Sequence, residues 1–174
     1  ASLGQVHRAR LHDGSEVAIK VQYPGIRDAV IHDLKMLGWL SIPVGNLKRG
    51  FDLSAYQSTV LDDLQCELDY RQEAHLQAAF ADWSSASNWL DVPSPIEQWS
   101  TPTVLMSLWE EGEHWEDVKR NWTAAERRQL ARAFVQFFCE GLFGRGLVHA
   151  DWHPGNLRFR RQGDKVSLLV YDFG

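Results

Sequence analysis

An α+β fold of two unequal lobes is what this sequence predicts, and three observations carry that prediction. Two short strand-like runs flank Asp13-Gly14 near one end, and long stretches with helical spacing follow them. A second strand pair, joined through Gln162-Gly163-Asp164, stands near the other end. Glycine beside aspartate between such runs marks a hairpin, whereas apolar residues three and four apart mark an amphipathic helix. The division expected is a small lobe over 1–108, with a helical insert over about 24–80, and a large lobe opening over 109–174. With 44% hydrophobic and 24% charged residues in 174, the chain has the composition of a globular domain. A net charge of −5 supplies no basic field, so no nucleic-acid partner is expected.

The elements follow in order. Val6 to Leu11 and Glu16 to Val21 form the first hairpin. The second run is almost wholly apolar, as expected of a strand covered on both faces. Alternation sets Val17, Ile19 and Val21 against Ala18, Lys20 and Gln22. A lysine amid such a strand is costly to bury unless its charge has a partner; the bland alternative is a lysine snorkelling from an edge. Tyr23-Pro24-Gly25 is a turn, Ile26 to Leu40 a helix, and Leu53 to Phe80 a second long helix. Trp83 to Asn88 reads as a polar loop. Leu90 to Pro93 and Thr103 to Met106 read as strands, and Ser107 to Gly112 as a connection between lobes. The acidic cluster of Glu110, Glu111, Glu113, Glu116 and Asp117 reads as a solvated helix start. Thr123-Ala-Ala-Glu126 is a capping box for a helix reaching about Gly144, with Leu130, Phe134, Phe137, Phe138 and Leu142 inward. Leu157 to Arg160 and Val166 to Tyr171 make the last hairpin.

Cys66 and Cys139 are too few for a disulfide framework and read as packed free thiols in a reducing compartment, which favours a cytoplasmic location. The most apolar stretch, Phe134 to Val148, is interrupted by Gln136, Glu140 and Arg145, so no bilayer-spanning helix is expected. The eight tryptophans are scattered, as packed anchors would be.

The chemistry concentrates in Leu147 to Asn156 and Val170 to Gly174. Asp151 precedes Asn156 by five positions, and Asp172 opens an Asp-Phe-Gly. That order is how a protein-kinase-like centre is written. Phosphoryl transfer needs a carboxylate at the acceptor hydroxyl and oxygen ligands for Mg²⁺ on the phosphates. Asp151 suits the first task, and Asn156 with Asp172 the second. Val17-Ala18-Ile19-Lys20 matches the kinase lysine strand. Such a site also requires a helix glutamate to hold Lys20, and backbone groups around Ser107 to Gly112 to meet an adenine. Two other readings of the loop stay open: a metal site on His149, Asp151 and His153, and a polar turn.

Taken together, the residues resemble the UbiB/AarF-like atypical kinases, the ubiquinone-biosynthesis-type protein-kinase-like proteins. Four segments carry the resemblance: Ala1-Ser2-x-Gly4-Gln5-Val6, the tail of that family's Ala-rich loop; Val17 to Gly25; Glu67-x-Asp69-Tyr70-x-x-Glu73-Ala74; and His149-Ala-Asp151-x-His153-Pro154-Gly155-Asn156 with Asp172-Phe-Gly174. The resemblance implies a two-lobed protein-kinase-like fold whose large lobe is truncated, with the apolar face of the 123–144 helix losing part of its cover. It implies an ATP-dependent phosphotransferase or ATPase using ATP/ADP and Mg²⁺. Lys20 would hold the phosphates and pair with Glu73, and Asp151 would be the catalytic aspartate. Asn156 and Asp172 would bind Mg²⁺. Ala1, Ser2, Gly4, Gln5, Val6, Ala18, Lys20, Met106 and Leu108 would contact the nucleotide. Glu67, Asp69, His149 and His153 belong to the family motifs. The fifty-three positions between Lys20 and Glu73 match the family's helical insert. Partners implied are a nucleotide, a lipid or quinone precursor, quinone-biosynthesis enzymes, and peripheral membrane association through regions outside this stretch. Ala1 replaces a loop glycine, which stiffens the loop. Ala150 replaces an arginine, so no activation by phosphorylation of an activation loop is expected. A small-molecule phosphotransferase of aminoglycoside- or choline-kinase type, and a non-catalytic nucleotide-sensing lipid-binding scaffold, are the alternatives.

Overall fold

The computed structural model describes residues 3–40 and 68–173. Strands β1 (Gly4–Arg10) and β2 (Glu16–Gln22) pair antiparallel around the Asp13-Gly14 turn, with Val6 opposite Lys20. Gly14 sits at φ +92°, a conformation glycine adopts without strain. Helix α1 (Ile26–Leu40) follows, and α2 (Tyr70–Ser85) starts at Asp69, whose carboxylate accepts the Arg71 N–H. The long helix expected from Leu53 therefore has a capped start at Tyr70, and its part up to residue 67 lies outside the described residues. Two short strands, β3 (Leu90–Asp91) and β4 (Val104–Leu108), come next. Helices α3 (Trp115–Asn121) and α4 (Ala124–Cys139) precede the last hairpin, β5 (Leu157–Gln162) with β6 (Lys165–Val170).

The strands form two three-stranded sheets, ordered β1-β2-β4 and β3-β6-β5. Strand β2 is central in the first and places Lys20 opposite Leu105 of β4. Central does not mean covered on both faces, since Val21 remains exposed. In the second sheet β3 runs parallel to β6, Leu90 beside Leu168, although residues 90–91 fall on the small-lobe side of a boundary at 108. Backbone pairing of Glu113 with Phe159, at 2.7 and 3.0 Å, ties the connection between the sheets to β5. Gly112 permits that approach, because a Cβ there would lie 2.7 Å from the Arg158 Cβ.

The main core joins α2, α4 and the second sheet through Phe80, Trp83, Leu130, Phe137, Phe159, Leu168 and Phe173. Trp83 stacks on Phe137, with centroids 5.0 Å apart and planes inclined by 6°. The polar loop expected from Trp83 is thus the last turn of α2, and Trp83 is a core residue. The Thr123 capping box forms as read, Glu126 N–H to Thr123 Oγ at 3.2 Å. Beyond Cys139 the helix widens into a π-helical turn, Glu140–Arg145, closed by Gly146 at φ +67°. Leu130, Phe134 and Phe137 pack inward and Gly141 is buried, whereas Phe138 and Leu142, each one position beyond an inward residue, are exposed. Cys139 is exposed as well, not packed. The acidic cluster does more than start α3. Glu110, Glu111 and Glu113 pair with Arg160, Arg8 and Arg161 respectively, and only Glu116 and Asp117 sit in the first turn.

Candidate functional site

Where the two sheets face each other, a cavity of about 610 Å³ opens, lined among others by Val6, Ala18, Lys20, Glu73, Asn156 and Asp172. Its size is that of a small-molecule site. Alternation along β2 delivers Ala18 and Lys20 to one face, and the pairing with β4 puts Leu105 and Ser107 beside them. The Lys20 ammonium donates to both Glu73 carboxylate oxygens, at 2.7 and 2.9 Å, and to Asp172 Oδ1 at 2.8 Å. Glu73 occupies the first turn of α2 and is buried. Burial alone would depress the Lys20 pKa, but the two carboxylates outweigh it and the value is raised. Burial raises the Glu73 pKa, and the nearby Asp172 adds to the rise against the opposing pull of Lys20. Two carboxylates share one ammonium, so the deeper of them ionises less readily.

Asp172 has φ +59°, alone among the described non-glycine residues in the left-handed region. Aspartate tolerates that region better than most residues, and such strain concentrates at functional sites. It turns the carboxylate back towards Lys20 while Phe173 enters the core. The Tyr171 N–H donates to the Asn156 carbonyl at 2.8 Å, which clasps the segment carrying Asp172 to the loop carrying Asn156. The Asn156 amide in turn donates to Asp151 Oδ2 at 2.8 Å. Asp151, Asn156, Asp172, Lys20 and Glu73 thereby form one linked constellation.

The remaining predicted residues divide by place. Ala1, Ser2 and Glu67 lie outside the described residues. Gly4 is the buried first residue of β1, where a Cβ would meet the Val21 carbonyl at 2.3 Å. Gln5 is exposed, its Oε1 beside the His7 ring at 3.1 Å. Asp69 caps α2, and its pairing with Arg71 lowers its carboxyl pKa. His149 is buried among Phe80, Trp152 and Phe173, with Nε2 on the Tyr171 carbonyl at 3.1 Å. His153 Nδ1 accepts the Gly155 N–H at 3.1 Å. These bonds turn the two imidazoles to separate tasks, and among the described residues no group of three acidic, histidine or cysteine side chains is placed to hold a metal. The histidine metal site is set aside on that geometry.

The connection between the lobes begins two residues later than expected, because Ser107 and Leu108 belong to β4. Met106 is absent from the cavity wall and its carbonyl accepts the Ile96 N–H, while the Leu108 N–H donates to Ser94. Leu108, the last residue of β4, and Glu110 beyond it both line the cavity. Sequence reasoning missed Arg158 and Tyr171 as wall residues. Tyr70 was also missed; its ring lies 5.0 Å from the Lys20 ammonium. A signal existed for Tyr70, since it stands three residues before Glu73 on one helix face.

A family profile described as the ABC1 atypical kinase-like domain matches residues 1–174. AarF domain-containing protein kinase 1 of Xenopus tropicalis is 32% identical over 100% of this chain and 34% of its own length. Atypical kinase COQ8B, mitochondrial, of Rattus norvegicus is 32% identical over 100% of this chain and 32% of its own. The chain thus spans about a third of these curated relatives. Among solved structures, the Rv3197–erythromycin complex from Mycobacterium tuberculosis is similar at a TM-score of 0.82 and 33% identity, over 99% of this chain and 43% of that one. The lysine strand, the glutamate helix and the aspartate loops therefore sit in an α+β, kinase-like fold, and the chain belongs to the ABC1/AarF (UbiB-type) family of atypical kinases.

Proposed function

We propose that this chain binds a Mg²⁺-nucleotide and carries the centre of an ATP-dependent phosphotransferase or ATPase that supports isoprenoid-quinone synthesis or related lipid metabolism. The observation that carries the reading is Lys20, bound to Glu73 and Asp172 on the wall of a cavity that Asn156 also lines. The residues fit a divalent cation: an amide oxygen and a carboxylate, clasped together through Tyr171 and Asn156, face the same space. Bound there, Mg²⁺ would neutralise phosphate charge. Lys20 would take phosphate oxygens, with Glu73 fixing its direction. The backbone of Leu108 and Glu110, which line the cavity, would meet the base. Asp151, oriented by the Asn156 amide, would accept the proton of the attacking hydroxyl or water as the new P–O bond forms. The bond to the departing ADP breaks in the same transfer.

The full-length match to the ABC1 domain favours this reading over an aminoglycoside- or choline-type phosphotransferase. Among the described residues no helix is long and apolar enough to cross a membrane, so the membrane association proposed is peripheral to them. The cytoplasmic location is proposed on the same footing, and the mitochondrial name of the rat relative is its competitor. Calorimetric titration of the full-length protein with ADP and ATP, with and without Mg²⁺, tests the nucleotide site. Activity with water, lipid headgroups or quinone precursors as acceptors then separates hydrolysis from transfer. Binding that ignores Mg²⁺ and is unchanged by Lys20→Ala would refute the proposal.

A further inference from the structure

We infer that Tyr70 is a positioning residue for Lys20, its ring face fixing where the ammonium lies and its far edge seating the start of β1. The ammonium is bounded on three sides: Glu73 holds it through two oxygens, Asp172 through one, and the Tyr70 ring lies 5.0 Å away. A cation over an aromatic face in a partly desolvated place is held appreciably more firmly than over an aliphatic one. Tyr70 is itself fixed. It is the first residue of α2, its N–H donates to the Pro102 carbonyl at 3.0 Å, and its side chain is buried.

The hydroxyl is the telling atom. It is closed off from solvent and has no hydrogen-bond partner among the described residues. A buried phenol without a partner is costly, and the ring occupies this place in spite of its polar tip. That tip reaches under β1: a Cβ on Gly4 would stand 2.8 Å from it. A leucine or methionine would fill much of the space without that cost, but would offer no π face. One rigid ring therefore spans from the strand start to the ammonium, so that displacement of one is felt at the other. The charged and titratable groups facing Lys20 are Glu73, Asp172 and Tyr70, and burial raises the Tyr70 pKa, which keeps the phenol neutral beside the ammonium.

The affinity consequence rests on the nucleotide reading above; the placement of the ammonium does not. The experiment therefore has two arms, on full-length protein carrying Tyr70→Phe or Tyr70→Met. In the first, crystal structures of the variants with no nucleotide present give the position of the Lys20 ammonium. In the second, Mg²⁺-ADP is titrated calorimetrically. Tyr70→Phe is expected to keep the ammonium in its native place between Glu73 and Asp172 and an affinity within about twofold. Tyr70→Met is expected to displace the ammonium from that place and weaken Mg²⁺-ADP about fivefold. An ammonium in its native place in Tyr70→Met, or an equal loss in both variants, overturns the inference, the second because the hydroxyl would then be the working group. If the native protein binds no nucleotide, the proposed function fails while the structural arm still decides the role of Tyr70.

Discussion

At the scale of single residues, Lys20 shows why a charge can stand in a strand of the small sheet. Its side chain is 16% exposed and that of Glu73 5%, so the pair is largely withdrawn from water. Removing the ammonium leaves two carboxylates facing each other. Lys20→Met should therefore cost on the order of 3 kcal/mol near neutral pH, a loss readable by urea denaturation. The pH dependence has a definite sign. The Glu73 pKa is already raised by burial, so the native state binds protons more readily there than the unfolded chain, and stability falls as pH rises through that raised value. Without Lys20 the effect grows, and the deficit of the variant should shrink as pH is lowered from 8 to 5. A deficit independent of pH would contradict the pairing. Gly4 was legible as a glycine of a phosphate loop, yet its structural need is closeness to the Val21 carbonyl. Gly4→Ala should lower stability by about 1–3 kcal/mol, as overpacking does, which thermal denaturation would measure. That need was hidden from the sequence, because it depends on which strand lies beside it.

At the scale of elements, the connection between the sheets is held by side chains that the sequence displays only as an acidic cluster. The Tyr171 hydroxyl donates to the Glu110 carbonyl at 2.7 Å, and Arg160 pairs with the Glu110 carboxylate. Burial pushes the Tyr171 pKa up to about 12. The native state thus keeps its phenol proton where the unfolded chain has lost it. The contribution of Tyr171 is fully present below about pH 10 and disappears as pH climbs towards the raised value. Tyr171→Phe should cost about 1 kcal/mol at neutral pH and flatten the alkaline arm of stability against pH. An unchanged alkaline arm would show that the phenol is not buried as described. Local signals served well where the element was decided locally. The Asp13-Gly14 hairpin and the Thr123 capping box are set by turn and cap chemistry within a few residues. Thr123→Ala should accordingly destabilise α4 by about 1 kcal/mol, measurable as a lowered melting temperature. The polar surroundings of Trp83 concealed a core position, since only the stack on Phe137 reveals it. The π-helical turn after Cys139 escaped a reading that assumed a constant pitch, and the exposed Phe138 and Leu142 were read as inward because apolar character alone does not fix the buried face.

For the whole molecule, the site exists because two sheets approach each other with their chemistry turned to the cavity between them. Lys20 comes from one sheet, Asn156 and Asp172 from segments flanking the other, and Glu73 from a helix that packs against both. The residue types and their order could be read from the chain; their convergence depends on contacts spanning fifty-three and 152 positions, such as those of Lys20 with Glu73 and with Asp172. The parallel pairing of β3 with β6 was beyond the sequence for the same reason, two residues being too short a run to specify a partner. The central claim is that this convergence makes a Mg²⁺-nucleotide site. Its most direct test is calorimetric titration of full-length protein with ADP, with and without Mg²⁺, in native and Asp172→Asn forms. Binding strengthened by Mg²⁺ in the native protein, and losing most of that dependence in Asp172→Asn, is the predicted result. No binding at millimolar ADP, or a Mg²⁺ dependence untouched by the substitution, would contradict it.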